Sequence, residues 1–518
     1  MARLALKPDS SFFRKIAVGA VGTRSVCLDL DGRGHQIAEL ERGSLDTKLW
    51  KDVKRKRVRI PDLVCQRCGL RVESRAKTKP DLSMSHSLAD EARAWDFGMV
   101  DTDCVAFPVC RPTEERFWSA GKLGKESSYW HERNWVRWQL TGPITYFRVG
   151  AFRSTPHTRT RAKGVTEGSE TIVSWNALFS SRTGTVEAVD GSRLTIRRTA
   201  DGHLRTCTVP ATLQIWVSEG QAVEAGQVLA SSVRPPSATE LSCPARLPED
   251  HIAHLLASRE RTQRFTGIKL ARLRAEEAYR DPVADLTADE EEDVYVRLEG
   301  ASFLASVCGL SAMQLFRPYL TSPDAQTQLE AVIALGETAN PEAIELLSGM
   351  LGDTSRPYFM RSAAAWSLSR TGARNAAERL VRAFSDVDRN IREEALEGLV
   401  SIGGEAVPLL LAGLREITEQ VAAGCAEALR QQQPLPEDVV ANLISELHQK
   451  EPSRWAVWLI AHLPRERVAT SIAALQESSP ELHYAISLLW SFVESWIARR
   501  WELSPGPAFP ASEDFHVV

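Results

Sequence analysis

Two carboxylates and two thiols crowd into the short stretch from Asp62 to Glu73, inside the basic segment KLWKDVKRKRVRIPDLVCQRCGLRVESRAKTK that runs from Lys48 to Lys79. Asp62 and Glu73 offer hard oxygen donors of the kind that hold Mg²⁺, and a divalent ion between two such acids can activate water against a phosphodiester. Cys65 and Cys68, followed by Gly69, are half of a tetrahedral zinc site: two thiolates on a tight turn that needs glycine's backbone freedom. Cys104 and Cys110 are the nearest further thiols, with His86 between the pairs, so a zinc site of four cysteines or of three cysteines and a histidine is expected.

These donors must be positioned by strands. Residues 58–64 and 70–76 each carry branched apolar residues at about every second position, with Cys65–Gly69 as the turn, which predicts a hairpin. Folding about Arg67 and Cys68 sets Asp62 opposite Glu73, where two like charges repel unless a cation or proton lies between them. Arg71, Glu73, Arg75 and Lys77 alternate along one face of the second strand, placing cations beside the acidic pair. Glu39 or Glu41, on a short helix expected from His35 to Arg42, would add a third oxygen ligand.

Pro61-Asp62 followed by Glu73-Ser74-Arg75 resembles the PD-(D/E)XK nucleases of the restriction-endonuclease superfamily, over residues 30–110. The resemblance implies an α/β nuclease-like domain in which Asp62 and Glu73 bind Mg²⁺. It also implies a lysine two residues after the second acid, where this chain has Arg75, with Lys77 the nearest lysine. Arginine stays protonated and is a poor base, so Lys77 would have to reach across, or the metal alone would activate water. The alternative is a basic hairpin without catalysis.

Charge is distributed unevenly. Residues 1–164 hold 31 basic and 19 acidic residues and the remainder 32 and 48, so a net charge of −4 conceals halves of +12 and −16. Lys54, Arg55, Lys56, Arg57 and Arg59 form a footprint suited to a phosphate backbone, and nucleic acid, DNA in the nuclease reading, is the expected partner. Trp118, Trp130, Trp135 and Trp138 interleaved with arginines serve base stacking or a core equally well. No run approaches eighteen apolar residues, the start lacks a secretory pattern, and nine cysteines with one close pair suit a reducing compartment; a cytoplasmic protein with no membrane contact is expected.

The rest of the chain supplies the frame, and the whole reads as multidomain α+β. Residues 14–34 alternate apolar residues and close on Asp31-Gly32, which predicts a hairpin, and residues 88–95 predict a helix. Residues 166–243 read as an all-β module whose EGQAVEAGQVLA resembles the barrel-sandwich hybrid fold; with no lysine between Lys163 and Lys269, a lysine-attached carrier is excluded. Residues 244–297 are expected to be a helical and acidic linker. Beyond them Leu335, Leu368, Leu399 and Leu429 recur at intervals of 33, 31 and 30, with Ala331, Ala364 and Ala395 four residues earlier. Two amphipathic helices per unit of this length resemble HEAT repeats over residues 298–433, implying an α-solenoid that binds a protein partner. A helical cap over 434–503 and a disordered tail over 504–518 complete the expected domains.

Overall fold

The computed structural model describes residues 10–44, 60–112, 138–161, 170–244, 247, 250–416, 418–432 and 434–490. The described residues form two compact units that divide between Tyr279 and Arg280. Lys54, Arg55, Lys56, Arg57 and Arg59, three of the four interleaved tryptophans and the C-terminal tail lie outside the described residues.

The first unit is built on a mixed five-stranded sheet. Strands β1 (Ile37–Glu39), β2 (Leu63–Cys65) and β3 (Arg71–Ser74) run antiparallel in sequence; β3 then pairs parallel with β5 (Cys104–Phe107), which pairs antiparallel with β8 (Thr145–Arg148). Between them in the chain lie β4 (Ser83–Ser87), β6 (Cys110–Pro112) and β7 (Trp138–Leu140); β4 joins a separate three-stranded sheet and β6 pairs with β7. Helix α1 (Ser10–Gly32) covers one face of the mixed sheet, burying Val26 and Leu30 against Leu63, Val72, Cys104 and Tyr146.

Three expected elements are replaced. Residues 14–34 are helix rather than hairpin, because Ala17, Val21, Val26 and Leu30 recur near the helical repeat over a window longer than the local Val-Gly alternation. Gly22 fixes the approach of α1: a Cβ there would meet the Ala76 Cβ at 2.5 Å and Pro108 at 2.9 Å. The expected helix at His35–Arg42 is strand β1, since Ile37–Glu39 pairs residue for residue with Leu63–Cys65. The helix expected at 88–95 is a single 3₁₀ turn, Glu91–Arg93, following strand β4, which carries His86.

The β module matches its expected strands. Four of them, Gly184–Asp190, Arg193–Arg198, Leu204–Thr208 and Ala222–Val223, form one sheet; Ala177–Phe179, Gln214–Ile215 and Val228–Ser231 form another. Val186, Leu194, Ile196, Val223 and Leu229 are among the residues buried together there. The chain then turns at Leu241–Cys243 and enters α2 (His251–Leu256) and α3 (Arg261–Leu273).

The second unit is a helical array. Helices Arg280–Ala288 and Val294–Ser306 occupy the stretch expected as an acidic linker; Asp293 caps the second by accepting from the Tyr295 N–H. Helices α4 (Ala325–Leu335), α5 (Tyr358–Arg370), α6 (Arg389–Ile402) and α7 (Glu419–Gln431) stack in one row, and the intervening helices Pro341–Gly352, Arg374–Ala383 and Val407–Gly413 form a second. Leu335, Leu368, Leu399 and Leu429 are wholly buried in the shared core, as are Ala331, Ala364 and Ala395. Small side chains let the rows close up: a Cβ on Gly336 would lie 2.8 Å from the Ser367 carbonyl oxygen. Arg389–Gly413 is the one described helical span long and apolar enough to cross a membrane by length and composition, but it is α6 and its successor, with Gly403 at φ +71 between them.

Candidate functional site

The hairpin β2–β3 has the expected register, Leu63 opposite Val72 and Val64 opposite Arg71, so continuing the ladder sets Asp62 against Glu73. The strands are shorter than expected, and the polar side chains around them are already engaged. Asp62 Oδ2 accepts the Ser74 N–H at 2.7 Å. Part of Asp62 reaches the surface, yet its carboxyl is enclosed; that burial, then Glu73, then Glu41, push it well above the usual carboxylate range, against the opposing Ser74 N–H and Arg75. Glu73 is buried and paired with Arg75, Nη2 to Oε1 2.8 Å. The pair is close but poorly aligned, leaving Arg75 Nε and Nη2 buried without a directed acceptor.

Lys77 does not reach the pair. Its amine donates to the Ser83 carbonyl at 2.5 Å and to Ser83 Oγ at 3.1 Å, and burial holds it below the usual amine range. The backbone keeps Lys77 in register with Glu73, since Lys77 pairs parallel with Val109 as Glu73 does with Val105, but the long side chain turns to the Ser83 oxygens instead of the acidic pair. Arg71, expected in the same cationic row, is also committed elsewhere: it forms a two-pronged ion pair with Asp103, at 2.9 and 2.6 Å, and bonds Thr266 Oγ1 on α3 at 3.2 Å.

The knuckle is formed. The Gly69 N–H donates to the Cys65 carbonyl at 2.9 Å and the Cys65 N–H to the Leu70 carbonyl at 2.8 Å, with Gly69 at φ +70. The other two donors differ from expectation. His35, just before β1, and Cys243, after the β module, join Cys65 and Cys68 so that the four ligand atoms all lie within 4.8 Å of one another. Among the described residues this is the one His, Cys, Asp and Glu group so arranged, and it could hold a metal ion. Hydrogen bonding between the two knuckle thiols draws Cys65 far below its ordinary value and Cys68 above it, as when two thiols share one proton.

Cys104 and Cys110 are not part of that group. Cys104 points to the α1 side of the sheet among Val26, Leu30 and Val72, and burial pushes its thiol up to about 11. Cys110 packs with Ala17, Val18, Val21 and Trp138, and burial pushes it up to about 12. Both are apolar core residues. His86 accepts from the Trp95 N–H at 3.3 Å rather than joining the thiols. No spacing signal marked His35 or Cys243, because Cys243 lies 178 residues from Cys65 and is brought back only by the fold.

A family model for HEAT repeats matches residues 280–369 and 357–430, so the helical array is a HEAT-repeat array that begins at Arg280. No curated protein matches the sequence. Solved structures similar to this chain include YibA from Escherichia coli, at 15% identity with a TM-score of 0.25, covering 47% of this chain and 93% of that one. Human deoxyhypusine hydroxylase in complex with glycerol is similar at 20% identity and a TM-score of 0.18, covering 46% and 86%. The CpcE–CpcF complex of phycocyanin lyase from Nostoc is similar at 20% identity and a TM-score of 0.17, covering 48% and 95%.

Proposed function

We propose that this chain is a cytoplasmic adaptor: its HEAT-repeat array engages a protein partner, and its N-terminal unit is a non-catalytic sheet domain. The observation that carries this reading is the repeated helix pair with its shared buried spine, Ala331, Ala364 and Ala395 beneath Leu335, Leu368 and Leu399. Such stacking leaves one side chain per repeat at equivalent surface positions, the kind of extended surface on which solenoids bind other proteins. Val387 and Tyr358, at the N-terminal ends of α6 and α5, are exposed at 90% and 50% and present apolar anchors. Affinity capture from the source cells should retain the same protein on the wild-type chain and lose it on a Tyr358→Asp/Val387→Asp variant whose melting is unchanged. Equal capture by both chains would count against these positions, and no specific capture at all against the adaptor reading.

One observation favours a second reading: the β2–β3 ladder, whose continuation brings Asp62, just before β2, toward Glu73 on β3, with β5 parallel to β3 and α1 packed on the sheet. In a PD-(D/E)XK-type nuclease acting on DNA, Asp62 and Glu73 would hold Mg²⁺, Arg75 the scissile phosphate, and Lys54, Arg55, Lys56, Arg57 and Arg59 the backbone. It ranks second because Arg75 neutralises Glu73 and Lys77 is committed to Ser83, so neither is free in the role it would need. Incubating the purified chain with single- and double-stranded DNA and Mg²⁺ or Mn²⁺ decides it. Cleavage abolished by Glu73→Ala would establish this reading, and no cleavage above that variant would remove it.

A further inference from the structure

The metal-ligating group joins three segments that are distant in sequence: the turn before β1, the β2–β3 knuckle, and the turn by which the chain leaves the β module. We propose that His35, Cys65, Cys68 and Cys243 hold one Zn²⁺, and that this ion staples the exit of the β module to the mixed sheet. The proposal stands apart from the adaptor reading and survives its failure.

Two distances carry it. Bonds of about 2.3 Å from zinc to sulfur and about 2.0–2.1 Å to nitrogen set tetrahedral edges of about 3.8 Å between two sulfurs and about 3.5 Å between sulfur and nitrogen. Cys65 Sγ lies 3.8 Å from Cys243 Sγ, and Cys68 Sγ lies 3.5 Å from His35 Nδ1. A disulfide would need about 2.05 Å between sulfurs, so the cysteines stand as thiols at ligand spacing. A hydrogen-bonded thiol pair would explain one such edge, but not four donors converging from three segments.

The histidine is held for the role. Its Nε2 lies 2.8 Å from the Leu241 carbonyl oxygen, an acceptor only, so Nε2 carries the hydrogen and the Nδ1 lone pair faces the sulfurs. A ligating imidazole is ordinarily oriented in this way, by a hydrogen bond from its other nitrogen. The orienting carbonyl and the fourth ligand thus come from one short turn, Leu241–Cys243. Three sulfurs and an imidazole, with no carboxylate, suit Zn²⁺ and reject Mg²⁺ or Ca²⁺. Binding displaces the remaining thiol protons, so occupancy falls as pH is lowered.

Elemental analysis of the full chain, purified under reducing conditions, should give about one zinc per chain, as a closed four-ligand site implies. Cys243→Ser should lower metal affinity by about tenfold or more, the loss seen even for supporting residues of such sites. Cys104→Ala and Cys110→Ala should leave zinc content unchanged. Because losing the ion could unfold the domain, Cys243→His supplies the second variant: it should retain zinc. Its cobalt-substituted form should show a thiolate charge-transfer band reduced by about one third, from three sulfurs to two. Chelation should open a protease site between Val233 and Pro244, where the staple had pinned the chain. A metal-free native chain overturns the proposal, as does a Cys65–Cys243 disulfide, zinc lost on Cys104→Ala or Cys110→Ala but retained in Cys243→Ser, or an undiminished cobalt band in Cys243→His.

Discussion

The two units of this chain are held together in opposite ways. In the HEAT array each helix meets its neighbours through equivalent positions, so Leu335, Leu368 and Leu399 make the same contact three times over. In the sheet domain the decisive contacts occur once each: Arg71 with Asp103, Gly22 against Ala76, and the convergence of His35, Cys65, Cys68 and Cys243. Repetition spreads stability over many similar interfaces, whereas single long-range contacts concentrate it.

The sharpest way to expose that difference is Arg71→Ala. Both partners of the Arg71–Asp103 pair are 3% exposed, and Asp103 also accepts from the Val100 N–H at 2.8 Å. Removing the guanidinium strands a buried carboxylate and should cost about 3–5 kcal/mol, read by denaturant unfolding of the sheet domain. Arg71→Met with Asp103→Leu should recover much of that loss, since no charge is then left unpaired. Next in size is Leu368→Ala, which opens a cavity in the array and should cost about 2–5 kcal/mol. If the array is as redundant as its sequence implies, Leu335→Ala and Leu399→Ala should cost similar amounts. A much larger cost at one of the three would break the comparison, because that repeat would then hold a contact of its own.

The same contrast explains what the sequence disclosed. A HEAT unit closes within about thirty residues, so the spacing of Leu335, Leu368, Leu399 and Leu429 carries the packing itself. The register of β2 and β3 was equally legible, because one tight turn sets it. The β module's strands were legible from turn pairs such as Asp190-Gly191, where Gly191 sits at φ +55. Legibility failed where distance in sequence mattered. Cys243 had no local mark as a ligand, and Cys104 and Cys110 were nearer to the knuckle along the chain but face apolar cores. Lys77 keeps the backbone register with Glu73, but its side chain is taken by the Ser83 oxygens, a partner that no spacing discloses. In α1 the Ala-Val-Gly repeat imitates a strand over six residues, while the burial follows a helical period over the fourteen residues from Ala17 to Leu30.

Asp62 provides a smaller effect, graded by pH and confined to the sheet domain. Its folded-state value is raised above the ordinary 3.8 by burial, Glu73 and Glu41, so the native state binds this proton more tightly than the unfolded chain does. Stability from this group is therefore fully present below the unfolded value and is lost as pH rises through the folded one. Asp62→Asn keeps an oxygen for the Ser74 N–H and cannot ionise. The variant should match the wild type in acid and exceed it increasingly toward neutral pH, as measured by unfolding at a series of pH values. A constant difference across the series would show that Asp62 titrates alike in the folded and unfolded chain, and a wild type that gains on the variant as pH rises would show that a bound cation or a closer approach of Arg75 holds it ionised.

The smallest effect tests redundancy directly. Asp324 and Asp388 cap α4 and α6, two helices of the first row with α5 between them: Asp324 accepts from the Thr327 N–H at 3.0 Å and Asp388 from the Asn390 N–H at 2.8 Å. Each satisfies one of the donors left free at a helix start, and replacing such a cap by alanine costs about 1 kcal/mol. Asp324 also accepts from Thr327 Oγ1 and Asp388 from Asn390 Nδ2, so both caps lose comparable side-chain bonds. The caps share no partner, so Asp324→Ala and Asp388→Ala should be additive within about 0.5 kcal/mol in the double variant. If the double variant loses clearly more than the sum, the array unfolds as one cooperative body in which each cap supports the next. If it loses clearly less, the repeats unfold in separate groups and the second cap adds nothing once the first helix has frayed.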